Sequence, residues 1–371
     1  MNLNFWPKMM SYSGGGSGSG GSGGSGSGNR GSNKSGGESV EQPPIQPTPV
    51  GALRFNTDSA KLEYFDGNQY VNITTDSPEQ NTGGTRGFAA GGYPGPVDPI
   101  DFFNIDSTGN AVDFGDRTIS AQQPGSAASR TRGLMAAGHT GSNQNIIDFV
   151  TMASTGNAQD FGDMTFANHG TSCNLGDSTR GIFAGGVNTG FNNIIDFVTI
   201  ASTGNATDFG DISVAIRNGT GGSSPTRSVF YLGKSGSSSG SDVNTIEYLT
   251  TSTQGNTSNF GDLTFTGRYG AGGSNAIRCI MTNGQAANVD FVTIATLGNA
   301  TDFGDLSTSV FQLPAMATSP TRIVRIGGQN PTVNTMDYAQ IMTTGNFVDF
   351  GDAVVSKSAR CGFSNGHGGL G

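Results

Sequence analysis

The stretch Asn193 to Asp211, NIIDFVTIASTGNATDFGD, returns in recognisable form six times, and almost everything after Thr85 is built from it. Each copy carries an acidic residue followed by an aromatic, then Gly-Asn, then an aromatic before Gly-Asp. The acidic-aromatic pairs are Asp101-Phe102, Asp148-Phe149, Asp196-Phe197, Glu247-Tyr248, Asp290-Phe291 and Asp337-Tyr338. Phe-Gly-Asp triplets begin at Phe114, Phe161, Phe209, Phe260, Phe303 and Phe350, so successive periods are 47, 48, 51, 43 and 47 residues. A fixed period in this range marks a propeller or a solenoid, where each unit leans on its neighbours for a core.

Composition narrows the function classes. Glycine is 61 of 371 residues and only 33% are apolar, but glycine is densest near the N-terminus, and the remainder can bury a core. The net charge of -9 argues against a nucleic-acid backbone as the main partner, because phosphate binding needs a basic face. Cys173, Cys279 and Cys361 lie far apart and without metal-ligand spacing, so they read as small buried thiols. No apolar run approaches the roughly 18 to 20 residues of a membrane span. The opening MNLNFWPKMM lacks the apolar core of a secretory signal.

Residues 1–10 place Phe5, Trp6, Met9 and Met10 ahead of a polar tail, which suits either an anchor peptide that buries itself in a partner or a frayed terminus. Residues 11–50 form a linker. Its Gly/Ser part has no side chains to bury and is expected to be disordered, a flexible coil, while Pro43, Pro44, Pro47 and Pro49 stiffen its end. Residues 51–73, GALRFNTDSAKLEYFDGNQYVNI, alternate apolar and polar positions around two turn signals and predict a three-strand meander. So small a sheet needs a partner surface, so it is expected to dock or to oligomerise, for example as a trimer. Leu53, Arg54, Phe55, Asn56, Thr57 and Asp58, followed by Leu62, Glu63, Tyr64, Phe65, Asp66 and Gly67, resemble a short module of tail fibres and other virion proteins of tailed bacteriophages. That resemblance implies a virion protein, assembled in the host cytoplasm and joined to other virion proteins through its N-terminus.

After a second linker, residues 74–84, the array spans residues 85–371. Each unit reads as four short strands, with Thr179 to Gly186, Ile194 to Ser202, Ala206 to Ile212 and a weaker Ser213 to Ser223 in the third copy. Gly204-Asn205 and its equivalents suit a two-residue hairpin turn. Phe before Gly-Asp is placed between adjacent units, with the following Asp capping a turn. Four strands per unit, six times over, predict an all-β chain whose array is a six-bladed β-propeller; a β-solenoid with a 47-residue double rung is the alternative. The Gly-Gly strand endings at Gly91-Gly92 and Gly185-Gly186 resemble kelch-type repeats, with Phe where those often carry Trp. If the strand in Val354 to Asn365 belongs with Thr85-Arg86, the two ends of the array share a blade.

Chemistry is sparse. Asp-Phe-Gly occurs five times, at Asp113, Asp160, Asp208, Asp302 and Asp349, so repetition explains it better than a kinase magnesium motif. Asp113 and Asp116 lack the rest of a calcium loop. His139, His169 and His367 fall at different phases of the repeat, which predicts no histidine metal site or triad. Arg86, Arg132, Arg180, Arg227, Arg278 and Arg322 recur once per unit; they either ring a channel as an anion site or, the preferred expectation, pair with repeated Asp residues. No enzyme activity and no cofactor are expected, and a polysaccharide-degrading enzyme would need a carboxylate pair in one cleft.

What differs between copies is the loop after the Gly-Gly position, and variable loops on a regular scaffold are where binding specificity is kept. Tyr93, His139, Asn188, Phe191, Lys234 and Asn330 on these loops are the candidate contacts for a host-surface glycan or protein, with Tyr269 a further aromatic candidate.

Overall fold

The computed structural model describes residues 48–56, 61–72, 85–236, 240–308 and 312–370. The anchor candidates Phe5, Trp6, Met9 and Met10 lie outside the described residues. Two compact units divide the chain, Met1–Asp76 and Ser77–Gly371. Every described strand pairing in the sheets is antiparallel, there is no α-helix among the described residues, and no helix there is long and apolar enough to cross a membrane.

In the first unit, strands Leu53–Asn56, Lys61–Phe65 and Tyr70–Asn72 form the expected meander. Its polar residues Arg54, Asn56 and Glu63 bond to one another on one face. Arg54 Nε donates to Glu63 Oε2 at 2.7 Å, Asn56 Nδ2 donates to Glu63 Oε1 at 3.0 Å, and the Arg54 guanidinium lies 3.6 Å from the Tyr70 ring centre. The alternate positions Leu53, Phe55, Leu62 and Tyr64 leave an apolar face exposed, Phe55 by 61%. Thr57 and Asp58 lie outside the described residues.

The second unit contains six four-stranded groups. The first joins Cys361–Ser364 to Arg86–Ala90, Pro99–Asn104 and Val112–Asp116. The second runs Gly125–Ala128, Arg132–His139, Asn143–Thr151, Gln159–Asn168, and the third Leu175–Gly176, Arg180–Ala184, Asn192–Thr199, Thr207–Arg217. The fourth has Thr220–Ser223, Arg227–Tyr231, Ser241–Thr250 and Ser258–Gly267, and the fifth Gly272–Ser274, Arg278–Thr282, Asn288–Thr293 and Thr301–Asp305. Ala315–Thr318, Arg322–Gly328, Val333–Gln340 and Val348–Asp352 make the sixth. A short strand, Lys234–Ser235, pairs with both Thr207–Arg217 and Ser241–Thr250 and fuses the third and fourth groups into one nine-stranded sheet. The weak strand assigned to Ser213–Ser223 is in fact two pieces. Residues up to Arg217 extend the outer strand of one group, and Thr220–Ser223 is the inner strand of the next.

The inner strands are buried and touch one another in sequence order, with Cys361–Ser364 lying against both Ala315–Thr318 and Gly125–Ala128. Cys361–Ser364 pairs with Arg86–Ala90 in the register Cys361 to Ala90 and Ser364 to Gly87. The two ends of the array therefore complete one group, as the sequence allowed. Apolar residues fill the seams between groups. The Phe of each Phe-Gly-Asp is nearly inaccessible, and Phe161, for instance, lies in a cluster with Phe183 and Ile200 of the next group.

The seams also repeat a set of polar bonds. Gly-Asn is not a two-residue hairpin: seven residues separate Thr199 from Thr207, and this loop reaches across to the preceding group. Gly204 N donates to Phe161 O at 2.8 Å, Asp163 N donates to Asn205 Oδ1 at 3.1 Å, and Ala206 N donates to Asp163 O at 2.7 Å. The same three bonds recur at every seam, and at the last Gly109, Asn110 and Ala111 of the first group engage Phe350 and Asp352 of the sixth. It is thus the main chain of the Asp that is engaged, and the expectation of a side-chain turn cap is replaced by this clamp.

The repeated arginines do not pair with Asp. Each stacks on the aromatic of its own group's acidic-aromatic pair, Arg278 lying 4.4 Å from the Phe291 centre, and donates Nη1 to a carbonyl of the next group. Arg86 reaches Met152 O at 2.7 Å, Arg132 reaches Ile200 O at 3.0 Å, and Arg322 reaches Ile105 O at 3.3 Å across the closing seam. A carbonyl left over at a strand end is the nearer acceptor, and the aromatic face holds the cation over it.

Candidate functional site

Antiparallel strands alternate direction, so the variable loops between second and third strands lie on the same face as the segments that cross from each outer strand to the next inner strand. The Gly-Asn loops and the turns between inner and second strands lie on the opposite face. On the variable-loop face the crossing segments approach one another through main-chain bonds between neighbouring groups. Gln123 N donates to Ala359 O at 2.8 Å, Gly170 N to Gln123 O at 2.9 Å, Asn218 N to Gly170 O at 3.0 Å, Leu313 N to Tyr269 O at 2.7 Å and Ala359 N to Leu313 O at 2.8 Å. Gln123, Gly170, Asn218, Tyr269, Leu313 and Ala359 all take positive φ, between 54° and 68°, at equivalent positions, so the strain belongs to the architecture and not to one residue's chemistry. Beneath them Asn174 Nδ2 spans from the third group to Gly272 O at 2.9 Å and Met316 O at 3.1 Å. At the opposite face the tail Gly368–Leu370 is buried, with His367 Nε2 2.8 Å from Ala128 O and Arg130 Nη2 donating to Leu370 O at 3.1 Å.

Four of the six loop candidates are drawn into two contacts on the variable-loop face. His139 packs its ring 5.2 Å from that of His169, whose Nδ1 lies 2.7 Å from Asn143 Oδ1; Asn143 Nδ2 donates in turn to Asn188 O at 3.2 Å. Phe191 lies under Lys234, with Nζ 5.9 Å from the ring centre. Tyr93 and Asn330 belong to the first and sixth groups; Tyr93 is 40% exposed and bonded through its main chain to Ser358, and Asn330 is exposed at φ 72°. His139 and His169 meet although they fall at different phases of the repeat. Burial, and then the charges of Arg217 and His139, lower the His169 pKa to about 4, so its ring is neutral at neutral pH. His367 is held neutral by burial at the far face. Among the described residues no group of three or more His, Cys, Asp or Glu converges on a metal-sized site.

Sequence reasoning missed Arg217 and Arg268. Arg217 ends the outer strand of the third group, where Nη2 donates to Gln123 Oε1 at 3.1 Å; Arg268 follows the outer strand of the fourth and donates Nη1 to Asp242 Oδ1 at 3.0 Å. Their signal was arginine outside the repeated Thr-Arg position. Of the other such arginines in the array, Arg117, Arg325 and Arg360 are buried against Asp148, Asp337 and Asp101, and Arg130 holds the tail. No known protein-family model matches this chain, and no curated protein matches it in sequence.

Proposed function

We propose that residues 85–371 form a six-bladed, kelch-like β-propeller and that the chain is a virion protein of a tailed phage, a fibre or appendage displaying that propeller for attachment to the host surface. The propeller reading is supported by inner strands that touch in a cycle and by seams that repeat one bond set and close the sixth group on the first. The attachment reading rests chiefly on one observation: all the loops that vary between copies lie on one face of an otherwise repeated scaffold. The meander's likeness to phage virion modules and the linker composition ahead of it support display away from an N-terminal anchor. No catalytic group or cofactor enters this reading.

The exposed apolar face of the Leu53–Asn72 sheet favours a second reading, in which the chain decorates and stabilises capsid or tail through other virion proteins or further copies of itself, as in a trimer. Gold-labelled antibody against the full chain, imaged on phage particles, is expected to mark the particle surface, and the purified chain is expected to block adsorption. Labelled particles whose adsorption is untouched by the chain, and whose deletion mutant adsorbs normally but loses infectivity on warming, would favour decoration. Unlabelled particles would overturn both.

A further inference from the structure

We propose that Arg217, Lys234 and Arg268, gathered around the single carboxylate of Asp242 and flanked by Tyr269 and Phe191, bind an acidic glycan through its carboxylate or phosphate groups. This rests on the host-attachment reading and supplies its ligand class.

Charge is the first ground. Arg217 stands directly opposite Lys234 in the antiparallel ladder, and Lys234 stands opposite Asp242, which also accepts from Arg268. Opposed residues in such a ladder share a face, and like charges so placed repel. Three cations around one carboxylate leave an excess of two positive charges, 3 - 1 = 2, in a chain whose net charge is -9. Neither Arg217 nor Lys234 forms an ion pair among the described residues. An anion from outside removes the repulsion.

Geometry is the second ground. Arg217 is oriented by the uncharged amide of Gln123, and its Nε is buried with no partner among the described residues, as is the Nε of Arg268. A guanidinium held by a neutral acceptor keeps an uncompensated charge for an anion that meets its terminal nitrogens. Both guanidinium groups approach the Tyr269 ring, Arg217 Cζ at 6.0 Å and Arg268 Cζ at 5.1 Å from its centre. Aromatic faces beside fixed cations suit a ring that is apolar on one side and acidic at its edge. The neutral imidazole of His169, beside Arg217, adds hydrogen-bonding capacity without charge.

The test uses the full chain and three immobilised polymers: polygalacturonate, phosphorylated mannan and neutral dextran. Binding to at least one acidic polymer and not to dextran is expected, weakening as salt rises because exposed charges are screened. Arg217→Gln combined with Lys234→Gln should weaken it by about tenfold or more. Lys357→Gln, which removes one positive charge against the double variant's two, on a lysine whose Nζ donates to Pro94 O, should leave it within about twofold. Polygalacturonate alone assigns carboxylate as the recognised group, phosphomannan alone assigns phosphate, and both together assign charge without discrimination. No binding to either acidic polymer at low salt, or equal binding by the native chain and the double variant, overturns the proposal. A native chain that blocks phage adsorption while neither polymer competes would sink this site and leave host attachment standing. Polymer binding that survives when adsorption is unaffected would do the reverse.

Discussion

At the scale of single residues, the glycine of Phe-Gly-Asp is what lets neighbouring groups meet. In the second group Gly162 has φ 147°, and a Cβ there would stand 2.5 Å from Gly204 O of the third. The obstacle is main chain already committed to the seam, so it cannot step aside. Gly162→Ala is expected to cost about 2 kcal/mol or more, read as a lower denaturant midpoint at unchanged slope. Gly204→Ala, whose Cβ would meet nothing within 4 Å, should cost less. The reverse order would remove close approach as the reason for the repeated glycine. His169 gives a residue-scale pH signature. Its folded pKa is about 4 against an unfolded value near 6.5, so the unfolded chain binds more protons between those values and stability falls as pH drops through them. His169→Gln should flatten the melting temperature against pH between about 6.5 and 4 relative to the native chain. Asp196 and Asp290, raised by burial, act in the opposite sense but are common to both proteins, so the difference isolates the histidine.

At the scale of elements, the buried acids of the acidic-aromatic pairs act as latches between groups. Asp196 accepts from Thr165 N at 2.9 Å and Thr165 Oγ1 at 2.8 Å, Asp290 from Thr264 N and Oγ1, Asp337 from Ser307, Asp148 from Thr118, and Glu247 from Ser213. In each case the donor stands two residues after a Phe-Gly-Asp. The sixth copy has Val354 at that position, 49% exposed. There Asp101 is met instead by Arg360 Nη1 at 2.7 Å, and its Oδ1 has no partner among the described residues. Val354→Thr would restore the hydroxyl that the other seams use. It is expected to stabilise by about 1 kcal/mol, seen as a rise of roughly 2 °C or more in melting temperature; an unchanged or lower midpoint would show that Arg360 already satisfies the acid. The latch illustrates what was legible. Period, strand number and buried Phe follow from spacing and alternation, which leave open whether the two ends share the first group. The Gly-Asn loop misleads because its short-range turn chemistry looks complete, whereas its partners lie 37 residues or more away along the chain. The arginines mislead for a related reason: charge suggests a carboxylate, but the carboxylates are taken by hydroxyl and main-chain donors or by arginines outside the repeated position. Arg217, Lys234 and Asp242 converge only because the long loop of the fourth copy folds back as an extra strand, which no period reveals.

At the scale of the whole array, stability is a sum of seams, and the closing one differs in kind because it joins residues at opposite ends of the chain. Cys361–Ser364 supplies the inner strand of the first group. Phe363 stacks on Phe88 with ring centres 5.0 Å apart and planes 7° apart, Ser126 Oγ donates to Gly362 O at 2.6 Å, and Ser364 Oγ donates to Thr318 O at 2.5 Å. One short strand therefore joins three groups at once. Truncation after Arg360 should expose the edge of Arg86–Ala90 and remove a fully buried phenylalanine, a loss of about 5 kcal/mol or more that approaches the whole margin of an ordinary domain. The truncated chain is expected to lose its single cooperative unfolding transition in calorimetry. A synthetic peptide of residues 361–371 added in trans should restore it in a concentration-dependent way, since a segment that binds only the folded state stabilises by mass action. A truncated chain that still melts cooperatively at the native temperature would mean that the array holds together without its closing strand, and that the seams between consecutive groups alone set its stability.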